Sequence, residues 1–280
     1  MRWNHFAAGI LLLVLVAFTS PCSGGGEITL VNRNSSLDIN VTSADTGLVN
    51  WTVDGVNSLN FQGLFYRVGS GAESSLLGIS SNPTVSVTQI PNALSFLDVT
   101  YANSLFSVRT VYQLIGSTAG SGKSGLSQSV TVKNLSASPL DFHLFQYSDF
   151  DLMGVTGGQT AQFSFDGANQ SYQVTQTDGM RTLTATVNAS TAPVGHFDAA
   201  PFNTTLSSLL DASATTLGDA ASASGNVTFS FQWDAILAAH GEAGDSLVIS
   251  QLISLVPEPT SGSLLLVGVM ALLTRRRKTI

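Results

Sequence analysis

Apolar residues recur at every second position through most of this chain. A half-buried β-strand requires that period, because successive side chains of a strand point to opposite faces of its sheet. Phe106, Val108, Thr110, Tyr112 and Leu114 share one face, with Ser107, Arg109 and Gln113 on the other beside Leu105 and Val111. Val227, Phe229, Phe231 and Trp233 alternate with Thr228, Ser230 and Gln232, and Leu183, Ala185 and Val187 with Thr182, Thr184 and Thr186. The same pattern predicts strands at 27–31, 37–42, 49–53, 61–68, 84–90, 94–101, 129–134, 142–152, 159–165, 171–176 and 246–255. Asp54-Gly55, Asp166-Gly167 and Asp178-Gly179 lie beside these runs as hairpin turns do, and Pro83, Pro91 and Pro139 lie at run boundaries, where a missing N–H costs least. Helical spacing is confined to 206–217, where Leu206, Leu209, Leu210 and Leu217 fall on one face, and to a single turn at 235–240. Many strands, little helix and no internal repeat or long linker predict an all-β fold, a single large antiparallel β-sandwich spanning residues 27–255. Trp51 and Trp233 are expected in its core.

The two ends read differently. Arg2 and His5 precede an almost wholly apolar run from Phe6 to Phe18, and small residues follow up to Gly26. That order is a secretory signal peptide, here residues 1–26, for removal by signal peptidase. Cys22 invites a lipid anchor, but Thr19-Ser20-Pro21 before it is unlike the usual Leu-Ala-Gly context. Cleavage beyond Cys22 leaves a body without cysteine, held together by its core and not by disulfides. At the other end, Leu264–Leu273 is apolar but shorter than the roughly 20 residues of a comfortable membrane span. Arg275, Arg276, Arg277 and Lys278 would hold that end in the cytoplasm. Pro257 and Pro259 disfavour helix before the run, which predicts an extended, exposed Glu258 that a processing enzyme can grip.

Val256-Pro257-Glu258-Pro259, a short apolar helix containing Gly268 and the basic stop Arg275 to Lys278 together resemble the bacterial PEP-CTERM sorting signal, here residues 256–280. The resemblance implies recognition by a membrane-embedded exosortase, transient anchoring in the inner membrane, and delivery to the cell envelope, surface or extracellular matrix. It describes cargo and leaves the activity of the body open.

Between the ends, six cations face eighteen acids, a net charge of −12 over residues 27–258. Nucleic-acid binding needs cationic contacts to phosphate, so this balance argues against it. It suits an exported protein and makes Ca²⁺ the one candidate ion, with no other cofactor expected. Asn-x-Ser/Thr sequons, among them those at Asn34, Asn40, Asn134, Asn169, Asn188, Asn203 and Asn226, are expected in a body this rich in Ser, Thr and Asn.

Three stretches bear on chemistry. Gly116–Ser124, GSTAGSGKS, approaches a phosphate-binding loop, but the first glycine of that pattern falls on Ser117 and a strand, not a helix, is predicted after it. It reads as a Gly/Ser loop between strands. Gly125-Leu126-Ser127-Gln128-Ser129 lacks the final glycine of a nucleophile elbow, and neither His143 nor His196 lies in a nucleophile motif. The best candidate site is DFHLFQYSDFD, residues 141–151. In a strand, Asp141, His143, Phe145, Tyr147, Asp149 and Asp151 point one way, with Asp149 and Asp151 about 7 Å apart. Aromatics stack on sugar faces and carboxylates accept hydroxyl protons, so Tyr147, Asp149 and Asp151 are candidates for glycan or Ca²⁺ binding, or else two exposed acids at a solvated strand end. As an acid/base pair they would offer glycoside chemistry.

The order SVRTVYQLIG…QSVTVKNLSASPLDFHLFQYSDFDL is similar to the large β-sandwiches of mutarotase-like, carbohydrate-active proteins. The resemblance covers about a fifth of the chain, without a diagnostic motif, and implies a large sandwich and a glycan partner, with exopolysaccharide as the matrix polymer. The combined expectation is a non-enzymatic structural or adhesive surface protein. The rival is a carbohydrate-active enzyme or lectin-like module using the Asp149/Asp151 strand.

Overall fold

A computed structural model describes residues 26–167 and 171–258. The expected signal peptide up to residue 25, Pro259, the apolar run and the expected basic stop lie outside the described residues, as does Asn169. Among the described residues the chain forms eighteen strands and one short α-helix. In chain order they are β1 (Glu27–Asn32), β2 (Ser35–Asn40), β3 (Gly47–Val53), β4 (Val56–Asn57), β5 (Phe61–Val68), β6 (Ser74–Ser75), β7 (Thr84–Ile90), β8 (Leu94–Ala102) and β9 (Phe106–Gly116). Then come β10 (Ser124–Asn134), β11 (Leu140–Asp149), β12 (Gln159–Asp166), β13 (Ser171–Thr177), β14 (Arg181–Ser190), β15 (His196–Pro201), α1 (Thr204–Leu209), β16 (Ser222–Gly225), β17 (Val227–Leu237) and β18 (Ser246–Pro257).

These strands make two large antiparallel sheets. One runs β1-β2-β3-β5-β11-β17-β15, with β4 on β3 and β6 on β5; the other runs β16-β12-β13-β14-β18-β10-β9-β8-β7. The predicted all-β sandwich is therefore observed. Its strands alternate as expected: along β10 every second residue from Ser124 to Asn134 is buried. The two inner faces meet in one continuous core containing Trp51, Phe142, Leu144, Phe229, Leu126, Val132 and Ile253. Trp51 and Trp233 are both buried, and the Trp51 indole N–H donates to Ser124 Oγ at 3.1 Å.

A polar seam crosses this core. Gln62 on β5 donates through its side-chain amide to Gln128 on β10 at 2.8 Å, and Gln146 on β11 donates to Gln251 on β18 at 2.7 Å. All four glutamines are buried.

The helix predicted over 206–217 is only six residues long, Thr204–Leu209. Beyond it, side chains of the first sheet capture the backbone: Thr215 N–H donates to Glu73 and Leu217 N–H to Gln232. Those tertiary bonds replace the intrahelical ones a longer helix would need. The turn of helix predicted at 235–240 is absent as well, because Ala235, Ile236 and Leu237 continue β17 in register with Phe142, Asp141 and Leu140. His196, in a stretch where the period-two pattern predicts no strand, begins β15, an edge strand that tolerates Pro201 at its end.

The GSTAGSGKS loop connects β9 to β10, with Gly116 paired to Ser124. The amides of its two inner glycines are already occupied. Gly120 and Gly122 adopt positive φ and donate to the two carboxylate oxygens of Asp54 at 2.6 and 2.8 Å. The loop thus wraps an internal carboxylate, with a strand and not a helix after it. Of the sequons, Asn134 is fully buried and donates to the carbonyls of Ser138 and Ala238, which leaves no room for a glycan.

Candidate functional site

β11 carries the site because its two faces have different neighbours. Phe142 and Leu144 enter the inter-sheet core, and Gln146 reaches Gln251. Phe145 and Tyr147 face outward, where Leu209 and Leu217 cover them together with Phe65, Phe61 and Leu206. The segment after β15 therefore lies over the outer face of the first sheet, and the expected solvated strand end is not found. Asp149 is 1 % exposed.

Asp149 is held by one residue. Asn60 Nδ2 donates to its Oδ2 at 2.7 Å, and the Asn60 backbone N–H donates to its carbonyl at 3.0 Å. Its Oδ1 is buried and receives no hydrogen bond. Burial pushes the carboxyl up to about 6, against the Asn60 bond, which lowers it, and with a further upward push from the charge of Asp151. Tyr147 is also fully buried. Thr228 and the Asn203 backbone are its polar neighbours, yet its hydroxyl makes no hydrogen bond of normal geometry. Burial raises the phenol further, helped by the neighbouring Asp149 charge.

Tyr147 and Asp149 form the floor of a cleft of about 300 Å³, the lower end of the range for small-molecule sites. Phe61, Phe65, Phe202, Leu206 and Leu210 supply apolar walls, and Asn60 and Asp45 add polar groups. Gly63, opposite Tyr147 across the β5–β11 ladder, makes room for this arrangement. A Cβ at Gly63 would lie 2.6 Å from the Phe61 ring, which instead packs 6.3 Å from the Tyr147 ring.

Asp151 does not join Tyr147 and Asp149. β11 ends at Asp149, so the strand step expected to bring both acids onto one face does not exist. Asp151 starts a short 3-10 turn with φ −101° and ψ 81°, and it does not line the cleft. Its Oδ1 is buried without a partner, and burial raises its pKa. Among the described residues no group of three His, Cys, Asp or Glu side chains is placed to hold a metal ion.

Asn60, Phe61, Phe65, Phe202 and Asp45 were not singled out as site residues in the sequence. Phe61, Gly63 and Phe65 at alternate positions opposite a tyrosine were the readable signal. His143 has acids as partners, Asp234 at 2.5 Å and Asp141 at 3.3 Å, and His196 contacts Asp219 at 2.9 Å. Neither imidazole is bonded to a serine.

The Val256-Pro257-Glu258 stretch is folded into the body. Val256 and Pro257 pair with Thr182 and Arg181 on β14. The Glu258 N–H donates to the Met180 carbonyl at 2.8 Å, and its carboxylate accepts from the hydroxyls of Thr177 and Thr182. The body thus extends past the expected boundary at 255, and Glu258 is half-buried, not presented on a free peptide. Pro257 is the last residue of β18, a strand position where a missing N–H is tolerated.

No protein-family model matches the sequence, and no curated protein matches it. Solved structures do. A bacterial glucoamylase complexed with acarbose aligns at 10 % identity and TM-score 0.53, covering 88 % of this chain and 36 % of that one. The Slr1438 protein from Synechocystis sp. PCC 6803 aligns at 11 % identity and TM-score 0.52 over 88 % of this chain and all of that one. A galactose 1-epimerase from Lactobacillus acidophilus NCFM aligns at 9 % identity and TM-score 0.49 over 88 % of this chain and all of that one. The chain spans about a third of the length of the glucoamylase it matches. At these identities the likeness to the glucoamylase and to Slr1438 is one of fold alone.

Proposed function

We propose that this chain is an exported bacterial surface or matrix protein whose sandwich binds a glycan in the Tyr147–Asp149 cleft. One observation carries the reading: a buried carboxylate oxygen without a protein partner, Asp149 Oδ1, lies beside the buried Tyr147 phenol at the base of a cleft walled by phenylalanines. Sugars offer hydroxyls to such oxygens and apolar C–H faces to such rings. The fold likeness to a glucoamylase that was solved with acarbose fits this reading. The route rests on the sequence of the ends: signal peptidase removes residues 1–26, and an exosortase processes the tail from Val256 onward after transient membrane anchoring. The matrix polymer would be an exopolysaccharide, and the protein's role there is structural or adhesive.

Binding without turnover is the preferred mode, because Asp151, the expected partner of Asp149 for glycoside hydrolysis, does not line the cleft, and the other acid there, Asp45, lies at its exposed rim. A specific observation favours the enzymatic alternative: a carboxyl pushed up to about 6 is poised as a general acid. Incubating the purified protein with a panel of polysaccharides separates the two. Retention on a polysaccharide without release of reducing ends supports binding. Reducing ends released by wild type and not by Asp149→Asn support the enzyme. No retention on any polymer contradicts both.

A further inference from the structure

We infer that the cleft selects a saccharide bearing a protonated amine over its neutral, N-acetylated and acidic counterparts, an inference that rests on the glycan reading above. The lining holds two acids, Asp149 on the floor and Asp45 at the exposed rim, and no lysine or arginine. Asp151, the other charged group acting on Asp149, is also an acid. Arg67 lies on the same sheet face but is committed elsewhere. Its guanidinium pairs with Glu73 at 3.0 Å, donates to the carbonyls of Gly69 and Thr215, and rests over the Phe145 ring.

Asp149 is therefore a buried carboxylate with one neutral donor, Asn60, and one oxygen that nothing in the protein satisfies. Buried charges are normally paired, because burial without a counter-charge is costly. A sugar hydroxyl would supply a hydrogen bond but no charge. An ammonium supplies both, through a charge-assisted bond to Oδ1. The walls suit the same group: Phe61 and Phe202 present ring surface, and aromatic faces attract ammonium ions. A uronate would set a third negative charge against Asp149 and Asp45.

The test is calorimetric titration of the purified protein at pH 6.8, where amino-sugar amines are substantially protonated and Asp149 is mostly ionised, and physiological salt with four tetrasaccharides: glucosamine, N-acetylglucosamine, glucose and galacturonate oligomers. Spermine serves as a charged probe without sugar rings. The glucosamine oligomer is expected to bind at least about tenfold more tightly than the N-acetylated and glucose oligomers, the value of roughly one desolvated charge-assisted contact. The galacturonate oligomer should be weakest. Asp149→Asn should collapse the glucosamine-to-N-acetylglucosamine ratio to near one, and Asp45→Asn should reduce it about two- to threefold. Equal affinities across the saccharides, or a ratio that survives in Asp149→Asn, overturn the inference and leave the glycan reading standing. Spermine binding as tightly as the glucosamine oligomer also overturns it, since the acidic body alone would then account for the preference. Failure of every saccharide to bind overturns the glycan reading itself.

Discussion

Gln62 and Gln128 meet across the sandwich, the Gln62 side-chain amide donating to the Gln128 side-chain oxygen at 2.8 Å in the middle of an otherwise apolar core. Gln146 approaches the same oxygen at 3.5 Å while donating to Gln251 at 2.7 Å. Two strands of each sheet are thus tied to each other by side chains that have no access to water. A buried amide is stabilising only while it is bonded, so the register of one sheet on the other is specified here.

Gln128→Ala should destabilise the fold by about 2–4 kcal/mol, combining a cavity with the stranded amide of Gln62. Urea unfolding would show the midpoint fall. Gln62→Leu with Gln128→Leu should recover part of the loss, since no polar group is then left unpaired. A single variant within 0.5 kcal/mol of wild type, on the order of an ordinary surface substitution, would contradict the account.

Asp149 should make the fold more stable toward acid than toward base. Its folded pKa, pushed up to about 6, exceeds the ordinary value of 3.8. The protonated form is therefore favoured by folding. That contribution is fully present below pH 3.8 and is lost as pH rises through 6. The gap corresponds to about 3 kcal/mol at most. Asp149→Asn should be more stable than wild type by about 1–3 kcal/mol at pH 8 and nearly equal to it at about pH 3, below both values. A variant less stable than wild type at pH 8 would refute the buried, underpaired carboxylate.

Asp54 works in the opposite direction. The N–H groups of Gly120 and Gly122 hold its carboxyl below the ordinary range. Its clasp on the loop is present above pH 3.8 and is lost as pH falls through the depressed folded value. Asp54→Ala should speed hydrogen exchange at Gly120 and Gly122 at neutral pH, and the difference from wild type should vanish in strong acid. Unchanged exchange at those two amides would show that the loop is held by something else.

The docking of Glu258 affects processing. If the tail is an exosortase signal, the enzyme must first peel the end of β18 from β14. Thr177→Val with Thr182→Val removes two donors from the Glu258 carboxylate, each worth about 1 kcal/mol net, so the opened end should be roughly thirtyfold more populated. Faster appearance of the processed form in cells is expected. Replacing Pro257-Glu258-Pro259 with alanine should instead trap the unprocessed chain in the membrane. Processing at an unchanged rate in the threonine variant would show that docking is not limiting; normal release of the alanine variant would remove the sorting proposal.

Most of the sandwich was legible because strands such as β9 and β10 have one face on the core and one on water, which imposes the period of two. Leu206–Leu217 misled because leucine spacing records an apolar stripe but not who takes the backbone hydrogen bonds, and here Glu73 and Gln232 do. The short pieces β4, β6 and β16 carry too few residues for a period to show, and β15 hides behind its proline. Within the site, Tyr147 and Asp149 were legible as same-face neighbours on one strand. Asp151 was misplaced because the strand ends two residues earlier. Asn60, Phe61 and Phe202 come from segments distant in sequence, joined to Tyr147 and Asp149 only by the pairing of β5 with β11 and the return of the chain over the sheet.

The most direct test of the glycan reading is residue-resolved nuclear magnetic resonance of the labelled protein titrated with a saccharide it retains. The account predicts shifts concentrated at the Asn60 side-chain amide and the backbone amides of Phe61, Tyr147, Asp149 and Phe202, with the Ser/Thr-rich outer face of the β10–β18 sheet undisturbed. Shifts confined to that outer face, with the cleft silent at saturation, would contradict it.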